Sequence, residues 1–255
     1  MQAIVPAAGR GERMMPLTTD TPKPLLEIAG RPMMTYVIDL LVAHGFDEIG
    51  VNLFYLGDQI KDYFGKGSKF GAKIIYVEEK ELTGIAGAVR NVAAVLKPTA
   101  PFFVISSDMM VNFDLTAVYK FHQEHGGIAT LCCYWRPRDQ LKKSGVILFD
   151  ETSKQIKEFV ERPQTDEEII SQWVNSSVYL FDPRILSYIP ERVGDSAIVD
   201  LPKHVFPKLL ASGEKMFAYP IDQTKFYQLG VDTPDRIDRV ADDIASGKFV
   251  PTHRK

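Results

Sequence analysis

Apolar and polar positions along the first half of the chain switch repeatedly between two periods. Residues 3–7 form a short apolar run ended by Gly9 and Gly11, which predicts a buried strand running into a tight loop. From Pro32 the period lengthens: Met34, Val37, Ile38 and Leu41 recur at i, i+3, i+4 and i+7, a helix that Pro32 opens and Gly45 stops. Residues 49–54 and 72–77 read as strands, 59–64 and 86–96 as helices, 102–105 as a central strand buried on both faces, and 115–125 as a further helix. This rhythm predicts right-handed βαβ units on one sheet, an α/β fold with a mostly parallel, Rossmann-like central sheet flanked by helices.

The second half is less regular. Residues 145–149 and 156–160, separated by Asp150-Glu151-Thr152-Ser153, predict a hairpin, a small antiparallel appendage to the main sheet. Residues 173–181 and 226–231 read as strands and 201–210 as a helix. A last helix, placed at 234–246, starts after Thr233-Pro234 as N-cap and first-turn proline; its apolar face is Ile237, Val240, Ala241 and Ile244, and Gly247 ends it. No repeat or linker interrupts the 255 residues, so a single domain is expected.

Composition narrows the class without choosing a function. Thirty Lys+Arg against 33 Asp+Glu give a net charge of −3, and 45% hydrophobic with 25% charged residues is an ordinary globular balance. A disordered chain, a collagen-like fibre and a basic nucleic-acid coat are excluded, and no nucleic-acid partner is expected. The two cysteines, Cys132 and Cys133, are adjacent and would point to opposite faces of a strand, which speaks for buried thiols in a reducing compartment. No secretory leader or apolar run of membrane-spanning length is read, so a cytoplasmic protein with no membrane partner is expected.

Candidate chemistry is concentrated in Gly9-Arg10-Gly11-Glu12-Arg13-Met14-Met15-Pro16-Leu17-Thr18, continuing to Thr21-Pro22-Lys23-Pro24-Leu25. Glycines directly after a strand let backbone approach a phosphate, and successive N–H groups can form an anion-binding concavity. A dinucleotide fingerprint fails because position 14 is Met14, and a Walker loop fails for want of Gly-Lys-Ser/Thr. Pro16, Pro22 and Pro24 stiffen the loop and hold Lys23 between two fixed φ angles, as suits a phosphate clamp. Asp108 ends the buried strand 102–105 with its following turn, and Asp232 ends the strand 226–231; the carboxyl edge of an open α/β sheet is where ligands bind.

The pattern Gly-x-Gly-x-Arg-x-x-Pro-Leu-Thr-x-x-x-Pro-Lys-Pro resembles the signature of the sugar-1-phosphate nucleotidylyltransferases, with every fixed position filled. Leu82-Thr83-Gly84-Ile85-Ala86-Gly87-Ala88 is similar to that family's Leu-Gly-Thr-Ala-Gly-Ala segment, Glu161-Arg162-Pro163 to its Glu-Lys-Pro, and Asn175-Ser176-Ser177-Val178-Tyr179 to its Asn-x-Gly-x-Tyr. The resemblance implies attack by the phosphate of a sugar 1-phosphate on the α-phosphorus of an NTP, with release of pyrophosphate. It implies nucleotide contacts from Ala7, Ala8, Gly9, Gly11, Arg13, Gly84 and Gly87. Arg13 would neutralise the triphosphate, Lys23 would orient the attacking phosphate, and Asp108 with Asp232 would hold Mg2+. Glu161, Arg162, Asn175 and Gly145 would bind the sugar phosphate. The nucleotide half would then cover about 1–125 and the sugar half about 126–232. Length and the 84–88 segment most resemble mannose-1-phosphate guanylyltransferases lacking a C-terminal β-helix, so GTP with mannose 1-phosphate is expected before UTP or dTTP with glucose 1-phosphate.

Four positions depart from the family pattern: Arg162 stands for lysine, Ser107 and Ser177 for glycines, and Asp232 lies in Gly-Val-Asp-Thr rather than Trp-x-Asp-x-Gly-Thr. A catalytically silent nucleotide-sugar-binding regulatory subunit would not need the intact Arg13, Lys23, Asp108 and Asp232. An inverting glycosyltransferase would present Asp-x-Asp where this chain has Asp108-Met109-Met110. His44, His122, His125, His204 and His253 are scattered, Trp135 and Trp173 read as packing residues, Met14-Met15 and Met33-Met34 as loop and core filler, and the tail 252–255 as a frayed terminus. Exposed helices and edge strands are compatible with a homodimer.

Overall fold

Strands that are apolar at every position must be covered on both faces, and the computed structural model, which describes residues 1–252, shows how that is done. In chain order the first half comprises β1 (Gln2–Pro6), β2 (Glu27–Ile28), β3 (Arg31–Pro32), α1 (Met33–Ala43), β4 (Glu48–Leu53), α2 (Gly57–Phe64), β5 (Lys73–Glu78), α3 (Gly84–Leu96), β6 (Phe102–Ile105), β7 (Met109–Val111) and α4 (Leu115–His125). The second half comprises β8 (Ala129–Trp135), β9 (Gly145–Phe149), β10 (Ile156–Glu161), β11 (Trp173–Phe181), α5 (Phe206–Ala211), β12 (Met216–Pro220), β13 (Gln228–Gly230) and α6 (Pro234–Ala245). His253, and with it most of the predicted frayed tail, lies outside the described residues.

The central sheet runs β10-β9-β11-β6-β1-β4-β5, and β8 joins β11 to β12. The wing β6-β1-β4-β5 is parallel throughout, as the βαβ rhythm requires. β11 runs antiparallel to β6, β8 and β9, so the predicted hairpin β9–β10 continues the main sheet instead of standing apart from it.

Single-residue alternation divides the core. Val5, Ile105, Leu180 and Cys132 face a layer built from Val37, Ile38, Ile60, Leu115 and Val118. Their chain neighbours Ile4, Val104, Tyr179 and Cys133 face Val89, Val92, Phe206 and Leu209. The adjacent cysteines therefore sit in opposite layers as free thiols, and burial raises the pKa of both. Each such fully buried aliphatic or aromatic side chain stabilises the fold by about 1.5–3 kcal/mol, and truncating Ile4 to alanine would cost about 2–5 kcal/mol.

Four elements differ from the periodicity. Residues 201–210 are not one helix: Pro207 has no N–H to donate four residues back, and the segment opens as a π-helical turn over Leu201–Val205 before α5. β12 and β7 carry no clear strand signal, yet β12 pairs with β8 and β7 with β13. The predicted strand 226–231 contracts to β13 and leaves the main sheet for that small ribbon.

A third apolar cluster explains what the ribbon is for. Met14 of the glycine loop, Met33, Met110 of β7, Leu229 of β13 and Val240 of α6 are buried together, with Ile237, Ala241 and Ile244 packed against them. The predicted apolar face of α6 thus clamps the glycine loop to the ribbon. Thr233 occupies the N-cap with extended backbone, but its hydroxyl makes no capping bond. Trp135 is exposed, against the expectation of a packing role, whereas Trp173 leans on Phe149 with ring centroids 5.7 Å apart.

Candidate active site

The carboxyl edge of the parallel wing carries the predicted chemistry, because β1, β4, β5 and β6 all point their C-terminal ends the same way. The glycine loop follows β1, and its tight course depends on Gly11 at φ +66°, where a Cβ would come within 2.9 Å of Thr18 Cγ2. The Thr18 hydroxyl donates to the Gly11 carbonyl at 2.9 Å, and Tyr55 donates to the Thr19 carbonyl at 2.8 Å, so the loop is tied at both ends. A short 3-10 turn over Lys23–Leu25, opened by Pro22 in extended conformation, aims Lys23 back at the sheet edge.

Two ion pairs define the centre. Lys23 Nζ pairs with Asp108 Oδ2, and both side chains are largely covered, at 15% and 24% exposure. Arg13 Nη1 lies 2.5 Å from Asp232 Oδ2. Pairing of β7 with β13 brings the two aspartates together: Gly230 opposes Met109, and the Val231 N–H donates to the Asp108 carbonyl at 2.9 Å. Arg236, on the first turn of α6, donates to the Gly230 carbonyl at 2.6 Å and stands 2.5 Å from Asp232 Oδ1. Sequence reasoning missed Arg236, although its i+4 spacing from Asp232 was a legible signal.

Two cavities meet at this centre. The first, about 620 Å³, is lined by Ala7, Ala8, Gly9, Gly11, Arg13, Lys23, Gly84, Asp108 and Asp232 among others. The second, about 1020 Å³, is lined by Gly145, Glu161, Arg162, Asn175, Lys203 and Arg236 among others. Arg13, Ile85, Ser106, Asp108 and Asp232 belong to both walls. Every site residue expected from the sequence lines one of the two cavities except Gly87, which is buried where a Cβ would sit 2.5 Å from Thr83 Cβ. Gly84 does line the first cavity, and its φ of +73° and a Cβ position 2.7 Å from the Val199 carbonyl both require glycine.

The second cavity is shaped by the family departures. Ser177 keeps a left-handed backbone, φ +61°, and its N–H donates to Asn175 Oδ1 at 3.1 Å. The turn a glycine would make is thus retained, with a side chain added. Asn175 Nδ2 in turn donates to the buried Tyr179 hydroxyl at 2.7 Å, and burial pushes that phenol up to about 12. Arg162 is also left-handed, φ +53°, and its guanidinium lies 3.5 Å from Glu161 Oε1. Burial raises the pKa of Glu161, and the charges of Arg162 and Lys203 oppose that shift. Gly145 leaves room for this carboxylate, since a Cβ there would stand 2.7 Å from Glu161 Oε2.

Comparison with known proteins gives the family. Residues 2–230 match the nucleotidyl transferase family. The chain belongs to that family. It is 35% identical over 232 residues to a UTP–glucose-1-phosphate uridylyltransferase of Synechocystis sp., covering 87% of this chain and 58% of that protein. It is 31% identical over 228 residues to the mannose-1-phosphate guanylyltransferase catalytic subunit beta of Drosophila melanogaster, covering 89% and 58% respectively. The chain therefore spans somewhat under three fifths of the curated relatives it matches. A crystal structure of UDP-glucose pyrophosphorylase complexed with UDP-glucose shares the fold, with a TM-score of 0.82 at 18% identity, over 97% of this chain and 100% of that one.

For a divalent cation the donor set is suitable. Asp108 and Asp232 are hard oxygen donors at one edge, and Asp232 Oδ1 is buried with the Arg236 guanidinium as its ion-pair partner and no well-aligned hydrogen bond. Among the described residues no cluster of three or more His, Cys, Asp or Glu exists; Mg2+ is an ion usually held by one or two carboxylates plus substrate phosphates. Among the described residues no histidine lines either cavity: His122 is buried, meets Thr130 Oγ1 at 2.9 Å, and is pulled down to about 4 by burial, while His44 lies 3.4 Å from Asp114. No helix among the described residues is long and apolar enough to cross a membrane.

Proposed function

We propose that this protein transfers a nucleotidyl group from an NTP to a sugar 1-phosphate, giving an NDP-sugar and pyrophosphate, with GTP and mannose 1-phosphate as the substrate pair. The observation that carries the reading is the meeting of the two cavities at Arg13, Ser106, Asp108 and Asp232. A triphosphate in the first and a sugar phosphate in the second would bring their phosphoryl groups together there.

Such an in-line displacement asks the protein for positioning and charge neutralisation. The nucleotide phosphates would lie against the backbone of Gly9 to Gly11, with Arg13 taking up negative charge as pyrophosphate leaves. Lys23 would turn from Asp108 toward the attacking phosphate oxygen, which bonds to the α-phosphorus as the bond from that phosphorus to the bridging oxygen breaks. Glu161 and Asn175 would hold sugar hydroxyls, backed by the open space at Gly145, and Arg162 would hold the sugar phosphate. Mg2+, held by Asp108 and Asp232, would supply charge neutralisation at the phosphates. In the absence of substrates the same cations and carboxylates neutralise one another, so a metal–nucleotide complex can replace both ion pairs at once.

The uridylyltransferase relative favours a second pair, UTP with glucose 1-phosphate. A pyrophosphate-release screen of GTP, UTP, dTTP, CTP and ATP against mannose 1-phosphate and glucose 1-phosphate tests both. GTP with mannose 1-phosphate is expected to give the highest kcat/KM. Release from UTP with glucose 1-phosphate would transfer the reading to the second pair, and no release from any pair would overturn it.

A further inference from the structure

Three cations line the first cavity, Arg10, Arg13 and Lys23, and they are not held alike. Arg13 and Lys23 pair with the two aspartates at the centre. Among the described residues Arg10 makes no ion pair, not even with Glu12, which lines the same cavity two positions on. Its guanidinium lies instead over two rings that directly follow β4, 5.4 Å from the centroid of Phe54 and 5.9 Å from that of Tyr55. The proposed reaction uses neither this charge nor its aromatic platform.

The platform is fastened to the glycine loop. The Tyr55 hydroxyl donates to the carbonyls of Thr18 and Thr19, at 3.1 and 2.8 Å, and both rings are half-buried. Stacking holds a guanidinium by its face and leaves the N–H groups along its edge free to donate. Among the described residues the backbone N–H groups of Gly9, Arg10 and Gly11 also donate to no protein acceptor. A guanidinium fork and a run of backbone donors thus stand on three consecutive residues, open to an anion.

The course of the displacement decides which anion that is. The sugar phosphate attacks from the second cavity, so the leaving oxygen departs in line on the far side of the α-phosphorus. Pyrophosphate therefore lies on the first-cavity side. Arg10 lines the first cavity and not the second, whereas Arg13 lines both. We infer that Arg10 is a further catalytic residue, one that grips the β- and γ-phosphoryl oxygens of the NTP and holds the pyrophosphate as it departs. This deepens the proposed function and rests on it. When the bond between the α-phosphorus and the bridging oxygen breaks, its electron pair goes to the pyrophosphate, and a pre-placed cation there stabilises the charge that develops. Arg13 sits where the phosphoryl group is transferred, and Arg10 sits where the leaving group ends.

The test runs the reaction backward with the full chain, because inorganic pyrophosphate is then a substrate in its own right. The NDP-sugar is GDP-mannose, or UDP-glucose if the screen selects that pair. In Arg10→Met, which keeps length and contact with the rings but not the charge, KM for pyrophosphate should rise about 10- to 150-fold, the worth of one hydrogen bond to a charged group. Affinity for the NDP-sugar, measured by calorimetry without pyrophosphate, should change less than about threefold, since the NDP-sugar lacks the leaving group. Phe54→Leu, which removes one ring of the platform, should raise the same KM about 2- to 5-fold. Arg10 is exposed, so the variants should melt with the wild type; should Arg10→Met not fold, Arg10→Lys decides, because a point charge without the fork should still raise that KM severalfold. An unchanged KM for pyrophosphate, or an equal loss of NDP-sugar affinity, overturns the role of Arg10 while the wild type remains a transferase. Failure of the wild type to consume pyrophosphate with either NDP-sugar would instead overturn the transferase reading.

Discussion

Replacing Gly145 by alanine should separate the two halves of the site. A Cβ on this residue would stand 2.7 Å from Glu161 Oε2 and 2.7 Å from Cζ of Phe159, and real Cβ contacts are longer than that by several tenths of an ångström. Phe159 is buried, at 8% exposure, and its ring packs against Phe206 at 5.3 Å between centroids, so the ring has little room to retreat. The carboxylate is the softer neighbour and will rotate away. Overpacking of this kind costs about 1–3 kcal/mol of stability. A hydrogen bond from a charged group to the sugar that is lost in the transition state is worth about 1.5–3 kcal/mol, a 10- to 150-fold fall in kcat/KM. The expected result is that fall for the sugar 1-phosphate, with NTP affinity by calorimetry changed less than threefold because Gly145 lines the second cavity alone. Glu161→Gln should reproduce the kinetic loss without the loss in melting temperature. If Gly145→Ala weakens NTP binding as much as sugar-phosphate use, or leaves both unchanged, the division of labour between the cavities is wrong.

Three further outcomes are expected. Asp108→Asn should lower turnover by at least about 100-fold, the loss typical of one charge-stabilising group, and should also lower the melting temperature, because it leaves the largely covered Lys23 ammonium without its counter-charge; wild-type turnover, or full activity in EDTA, would remove the metal assignment. Lys23→Ala should lower kcat at saturating NTP by about 100- to 1000-fold while calorimetry still shows NTP binding, and unchanged turnover would reduce Lys23 to a structural partner of Asp108. Burial raises the Glu161 pKa, so as pH falls the carboxylate protonates earlier than an ordinary glutamate, and KM for the sugar 1-phosphate should climb above pH 4.5 and not only below it. In that window the folded state binds more protons than the unfolded one, so wild-type stability should decline with rising pH relative to Glu161→Gln; parallel stability curves for the two proteins would count against it.

The strands and helices of the parallel wing were readable from local periodicity, and so was the tight glycine loop stiffened by its prolines, because both depend on residues a few positions apart. β6, α4 and β11 fall where the apolar pattern puts them. The strand placement of Cys132 and Cys133 and the apolar face of α6 were legible for the same reason. What the tertiary structure alone decided is which distant groups meet. Lys23 and Asp108 are 85 positions apart, and Arg13 and Asp232 are 219 apart. The ribbon that unites the two aspartates is made of strands only three residues long, too short to carry a period. Glu79 lies in the charged run Glu78-Glu79-Lys80-Glu81, which carries no local pattern, and only the fold surrounds it with Asn52, Thr83 and Asn91. Local chemistry fixes which backbone shapes a segment can adopt, but a site is assembled by contacts across the fold, and those depend on how two covered faces of one sheet are packed.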